Sequence, residues 1–170
     1  MDNSADAMVA AAQQLAALVA ERRTRIVFAE SCTAGLVSAT VAQVAGVSEW
    51  HCGSAVVYRE TTKSAWLGIS AAELHEHNAV SEEIARQMAV GVLRITPEAM
   101  FSASITGHLG PGAPPQLDGV IYIAVAQRRG TELAILHAAR ETLSASDRIV
   151  RQPQAALRVL ETMYETIRQT

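Results

Sequence analysis

The chain predicts an α/β domain of three layers, an α/β/α sandwich around a mixed, mostly parallel sheet. Three observations carry that prediction. Short apolar runs of strand character alternate with helix-patterned segments through the first part of the chain, two strand runs joined by a short turn follow one another late, and a helix pattern closes the sequence. A length of 170 residues and an apolar fraction of 49% suffice for one core and are short for two, so residues 1–170 read as a single domain.

The elements follow in order. "MDNSADAMVAAAQQLAALVAERRTR" is an amphipathic helix whose basic end suits a helix C-terminus. "RIVFA" (25–29) is a strand, and the segment after it reads as a helix from about Thr33 to Ala45, closed by Gly46. "SAVVY" (54–58) is the next strand and "RETTKSAWLG" a short helix ended by Gly68. "ELHEHNAV" reads as a helix end and turn. Ser81 then caps the helix "SEEIARQMAVGVLRI", with Glu82 and Glu83 in its first turn. "AMFSASIT" (99–106) is a strand, and "GHLGPGAPPQLDG" is a Gly- and Pro-rich loop. "VIYIAVAQ" and "ELAILHAA" form an antiparallel hairpin across "RRG". The last helix runs from about Ser146 to Ile167, with Pro153 either bending it or marking a later start.

Composition excludes several function classes. With 14 basic against 17 acidic residues, net −3, and few aromatics, there is no basic stripe for nucleic acid. No apolar run reaches the roughly 18 residues of a membrane span. The first residues are acidic where a signal peptide would be basic, and Cys32 and Cys52 read as reduced thiols, so the cytoplasm is the expected location. Alanine is abundant, which predicts helices packed closely on small side chains.

Chemistry is expected beyond the C-terminal ends of the parallel strands, where "AESCTAG", "YRETTK" and "TGHLGPG" each leave a strand. Ser31 stands at the expected helix start, where the backbone N–H groups of Cys32, Thr33 and their successors could hold an oxyanion. Ala34 and Gly35 are too small to block a ligand. Taken alone, Ser31 reads as an ordinary N-cap and Cys32 as a buried small hydrophobe rather than a nucleophile. Lys63 is the only lysine among fourteen basic residues. It is either a solvated helical lysine or a base, since lysine can lose its proton where arginine cannot. The Ser–Lys pairing favours the base, because a serine hydroxyl needs a neighbouring base to become a nucleophile. Glu60, three residues before Lys63, opposes that by holding the amine's pKa up. His75 and His77 read as solvated, His51 and His137 as strand-end residues, and His108 as facing the pocket from the glycine loop. No metal site, Walker motif or G-x-G-x-x-G follows from the sequence.

At these residues the chain resembles the CinA C-terminal domain family, whose characterised members are nicotinamide-nucleotide amidases. The family's E-S-C-T-G-G stands here as "ESCTAG", its Y-x-N-x-x-K as "YRETTK" and its A-V-S-E-E as "AVSEE". Its T-G-x-A-G-P-x-G stands as "TGHLGPGA" and its late D/G-R-x-x-V-R as "DRIVR", all in the family's order and spread over nearly the whole chain. The resemblance implies hydrolysis of the carboxamide of nicotinamide mononucleotide in pyridine nucleotide salvage, without metal or organic cofactor. It implies a nucleophile at Ser31, a base at Lys63, and Tyr58 and Thr106 holding or relaying the proton. It implies a nucleotide site lined by Cys32, Thr33, Ala34, Gly35, Gly107, Gly110, Gly112 and Arg148. It also implies a homo-oligomer, and a stand-alone form lacking the additional N-terminal domain of longer members. The departures are Ala34 for glycine, Glu60 for asparagine, and His108-Leu109 in the loop, with Leu109 for alanine. They keep two alternatives open: a non-catalytic nucleotide-binding or regulatory homologue, and an amidase for another small amide.

Overall fold

The structure is a computed structural model and describes residues 4–170. In chain order its elements are α1 (Ser4–Glu21), β1 (Ile26–Glu30), α2 (Leu36–Val41), β2 (His51–Val56), α3 (Glu60–Leu67) and α4 (Ala71–His77). They continue with α5 (Glu82–Ile95), β3 (Phe101–Gly107), β4 (Val120–Arg129), β5 (Glu132–Thr142) and α6 (Arg148–Arg168). Residues 1–3, where the first helix was expected to open, lie outside the described residues.

One sheet has the order β2-β1-β3-β4-β5. β1 is parallel to β2 and β3, and β4 is antiparallel to β3 and β5, so every strand except β4 points the same way. The β4–β5 hairpin turns at Gly130, whose φ of 62° suits glycine. The sheet is therefore mixed and mostly parallel in direction.

Alternation along the strands builds a core on each face. Ile26 and Phe28 of β1 pack with residues of α1, α2 and α6, while Val27 and Ala29 pack with residues of α3, α4 and α5. β4 divides likewise, with Ile121, Ile123 and Val125 on the first face and Ala124 and Ala126 on the second. On β3 the residues facing α5 are hydroxylic. Ser102 donates to the carbonyl of Ala89 at 2.8 Å, Ser104 to Ala85 at 2.5 Å, and Thr106 to Ala79, just before α5, at 2.8 Å. These small side chains satisfy themselves on the helix backbone and let it lie close to the sheet. Gly91 in turn lets α5 lie close to α3, since a Cβ there would stand 2.6 Å from the carbonyl oxygen of Leu67.

Helix ends follow local chemistry. Ser81 accepts from the Ile84 amide at the start of α5, and α3 ends at Gly68 with φ 74°. Three boundaries differ from the sequence expectation. The helix expected over residues 33–45 spans only Leu36–Val41, because Ala34 (φ 54°) and Gly35 (φ 98°) are left-handed and bar an earlier start. β2 lies three residues earlier than expected at its start, at His51. α6 begins at Arg148 behind the cap Asp147, whose carboxylate accepts from the Ile149 amide at 2.8 Å, and it runs through Pro153.

Candidate active site

The segments leaving β1, β2 and β3 meet around one cavity of about 590 Å³ at the C-terminal ends of these parallel strands. Ser31 and Cys32 come from the first, Tyr58, Glu60 and Lys63 from the second, and Thr106, Gly107, His108, Gly110 and Gly112 from the third; Arg148 reaches in from the start of α6. Thr33, Ala34 and Gly35 do not line it.

Lys63 is 2% exposed, on the face of α3 turned to the sheet. Its Nζ donates to Ser31 Oγ at 3.0 Å and to the carbonyl of Val57 at 2.9 Å. The solvated reading of this lysine is thereby excluded. Burial drives the amine's pKa below the ordinary lysine value, opposed by charge at Cys32 and Glu60. Burial also pushes the Cys32 thiol up to about 12, so that thiol is neutral near pH 7 and Glu60 is the working opponent. Ser31 is not a helix cap: the residue preceding α2 is Gly35, and the Ser31 amide is bonded to the Ile105 carbonyl of β3 at 3.1 Å.

The turn after Ser31 is held by Glu30, a fully buried carboxylate. Its Oε2 accepts from Thr33 Oγ1 at 2.8 Å, the Gly35 amide at 3.0 Å and the Val37 amide at 3.1 Å, and its Oε1 accepts from the Ser38 amide at 3.0 Å. An anion at this helix start is also favoured by the dipole. The consequence corrects the expected oxyanion site. Gly35, Val37 and Ser38 have spent their N–H groups on Glu30 and Leu36 has spent its own on the Thr33 carbonyl, and the Thr33 hydroxyl is turned to the same carboxylate, away from the cavity. Among the described residues no acceptor on another residue is found for the N–H groups of Cys32 and Thr33, and the Cys32 N–H faces its own thiol. Their peptide planes are fixed from the other side. The Ser31 carbonyl accepts from the Ala34 amide at 3.1 Å, and Gln152 Nε2 lies 3.4 Å from the Cys32 carbonyl and donates to that of Thr33 at 3.2 Å. A trans peptide points its N–H opposite its C=O, so pinning these carbonyls orients the two free donors.

The start of α6 also holds the glycine loop. Arg148 donates to the Gly110 carbonyl at 2.9 Å and to the Tyr58 hydroxyl at 2.8 Å, which stations Tyr58 at the cavity rim, 55% exposed. Arg151 forks onto Asp118 at 2.8 and 2.9 Å and also donates to the carbonyls of Leu109 and Ala145. Its hydrogen bonds hold the Asp118 carboxyl below the usual range. Gly110 is required here, since φ is 71° and a Cβ would meet Asp118 Oδ1 at 2.9 Å. Thr106 gives its hydroxyl proton to Ala79, so it presents only lone pairs to the cavity. His108 and Leu109 both line the cavity, and Leu109 is at the same time buried in the core shared with α1 and α6, which accommodates its bulk. Among the described residues no three His, Cys, Asp or Glu gather as metal ligands.

Sequence reasoning missed Glu30, Arg151 and Gln152 as supports of the site. Glu30 carried a signal, an acid closing an apolar strand run, and Arg151 stands in "DRIVR" beside Arg148. Gln152 carried none.

Comparison with known proteins adds a family model, that of the CinA C-terminal domain, matching residues 8–167. The nicotinamide-nucleotide amidohydrolase PncC of Escherichia coli strain K12 is 30% identical over 155 residues, covering 90% of this chain and 90% of that protein. A CinA-like protein of Anaeromyxobacter dehalogenans is 39% identical over 138 residues, 80% of this chain but 33% of that protein. The chain thus spans about a third or less of the longer CinA-like relatives. In structure it is similar to a competence-damaged protein (CinA) superfamily protein from Klebsiella pneumoniae, with TM-score 0.87 at 22% identity over 96% of this chain and 99% of that one. The competence/damage inducible protein CihA from Agrobacterium tumefaciens gives 0.81 at 25%, over 92% and 93%.

Proposed function

The chain belongs to the CinA C-terminal domain family, and on that premise we propose that it is an amidohydrolase converting nicotinamide mononucleotide to nicotinate mononucleotide and ammonia. The observation that carries the reading is the buried Lys63 amine 3.0 Å from the Ser31 hydroxyl at the wall of a nucleotide-sized cavity.

The cycle follows from those groups. Neutral Lys63 accepts the Ser31 proton while Oγ bonds to the amide carbon, and the carbonyl oxygen becomes an oxyanion facing the N–H groups of Cys32 and Thr33. Each such donor is worth roughly a hundredfold or more in rate. The C–N bond then breaks and the proton on Lys63 goes to the departing nitrogen, giving ammonia and an acyl ester on Ser31. Water gives a proton to Lys63 as its oxygen attacks the ester, the C–Oγ bond breaks, and Ser31 regains its proton. Arg148 and the amides of the glycine loop are the groups suited to the substrate phosphate.

Incubation of the purified chain with nicotinamide mononucleotide should release ammonia at a rate proportional to enzyme. Correctly folded protein that releases none above background rejects the reading. The family reading also carries a cytoplasmic homo-oligomer, which sedimentation of the purified chain tests as to assembly.

A second reading, a nucleotide-binding or regulatory module without turnover, draws on Glu60, whose carboxylate works against a neutral Lys63. A raised melting temperature with the mononucleotide and no ammonia supports it. Turnover of a different small amide alone supports an amidase of other specificity.

A further inference from the structure

Among the residues lining the cavity, Glu60 supplies the one carboxylate, against the basic side chains of Arg59, Lys63 and Arg148. It forms no ion pair with any of the described residues. It is exposed at the first position of α3, one turn before Lys63 and on the same side of the helix, and it also borders a second cavity that shares Thr61 and Ala79 with the first. An acid in the first turn of a helix has an ordinary reason to exist, its favourable interaction with the helix dipole. Its position in this cavity has two costs for the reaction. It repels a phosphate, and it works against the lowering of the neighbouring amine's pKa.

The substrate chemistry supplies what offsets those costs. Attack by Ser31 requires the carboxamide at Ser31 and Lys63, so the ring bearing it lies beside the first turns of α3. In an N-ribosylated nicotinamide the ring nitrogen is quaternised and the ring carries a full positive charge. We propose, resting on the amidase reading, that Glu60 is a specificity residue: its carboxylate selects amides on a cationic, N-ribosylated pyridinium ring over uncharged amides of the same shape. A carboxylate about 6 Å from the ring charge, at an effective dielectric of about 40, is worth about tenfold in affinity.

The reduced mononucleotide, whose dihydropyridine ring is uncharged, is the probe. In a Ser31→Ala background, calorimetry compares Kd for the oxidised and reduced mononucleotides with and without Glu60→Gln. The expected result is that Glu60→Gln weakens the oxidised form about tenfold and leaves the reduced form within about twofold. Any loss through the helix terminus moves both ligands together and cancels in the ratio. Equal changes for both ligands, or no change for either, overturn the role of Glu60 while leaving the amidase reading standing. Absence of binding of either form to the Ser31→Ala parent overturns both.

Discussion

The carbonyl of Val57 holds Lys63 Nζ at 2.9 Å, and the amide of the same residue donates to the Glu30 carbonyl at 2.8 Å. One buried residue beyond β2 thus ties Lys63 to the strand that delivers Ser31. A neutral amine has two N–H groups and one lone pair. With an N–H committed to Val57, the lone pair is free to face Ser31.

That arrangement makes the proton acceptor irreplaceable by a permanent cation. Lys63→Arg should lower kcat by about a thousandfold or more, read as ammonia release, because arginine keeps the charge and cannot take a proton. Turnover retained in that variant refutes the role of the amine.

The lowered pKa of Lys63 sets the pH dependence. Activity follows the neutral fraction, so kcat/KM should rise with pH through a limb lying below 10.5, the ordinary lysine value, and then level off. Glu60 holds the amine's pKa up, so Glu60→Gln should move the limb to lower pH; movement to higher pH contradicts the assignment. Stability obeys the same sign. Between the lowered value and 10.5 the unfolded chain binds the proton and the folded chain does not, so the unfolding free energy rises with pH across that window and this contribution is lost as pH falls through it. Urea titrations at several pH values measure it.

Glu30→Gln should cost about 3 kcal/mol in urea denaturation and depress kcat as well. The glutamine offers a single acceptor oxygen, and its NH₂ group faces amide N–H groups where a second carboxylate oxygen had accepted. An unchanged urea midpoint refutes Glu30 as the clamp of the turn.

At Gly91 two effects compete. Alanine gains roughly 1 kcal/mol in a helix interior over glycine, but its Cβ would meet the Leu67 carbonyl at 2.6 Å, and overpacking costs about 1–3 kcal/mol. The clash is with backbone, so Gly91→Ala should lower Tm. A Tm equal to or above the parent's shows that α3 can yield.

Gln152→Leu should reduce kcat about tenfold with KM changed less than twofold, because the glutamine touches only the carbonyls of Cys32, whose peptide carries the Thr33 donor, and of Thr33. Equal losses in 1/KM and kcat contradict a purely orienting role.

The general architecture was legible because β1, β3 and β4 carry apolar runs too short for helices, and because Gly68, Ser81 and Gly130 punctuate the chain as turn chemistry dictates. Lys63 and Ser31 were legible through residue type: a single lysine among arginines, and a serine following a strand. The start of α2 was not. Alanine favours helix on average, and nothing in "TAG" reveals that Ala34 and Gly35 are left-handed, since the reason is a carboxylate reaching forward from Glu30 to amides up to eight residues away. Tertiary hydrogen bonding overrode local propensity there. Gln152 was illegible for the same kind of reason: its partners lie some 120 positions earlier, and only the fold brings them together.

The grip of α6 on both the nucleophile turn and the glycine loop, through Arg148, Arg151 and Gln152, has a consequence during synthesis. This helix is the last described element to leave the ribosome. Until it docks, the earlier strands can pair and bury their apolar faces, but the oxyanion donors lack their orientation and the loop its anchor. On the amidase reading, the nascent chain therefore stays inert until α6 closes over it.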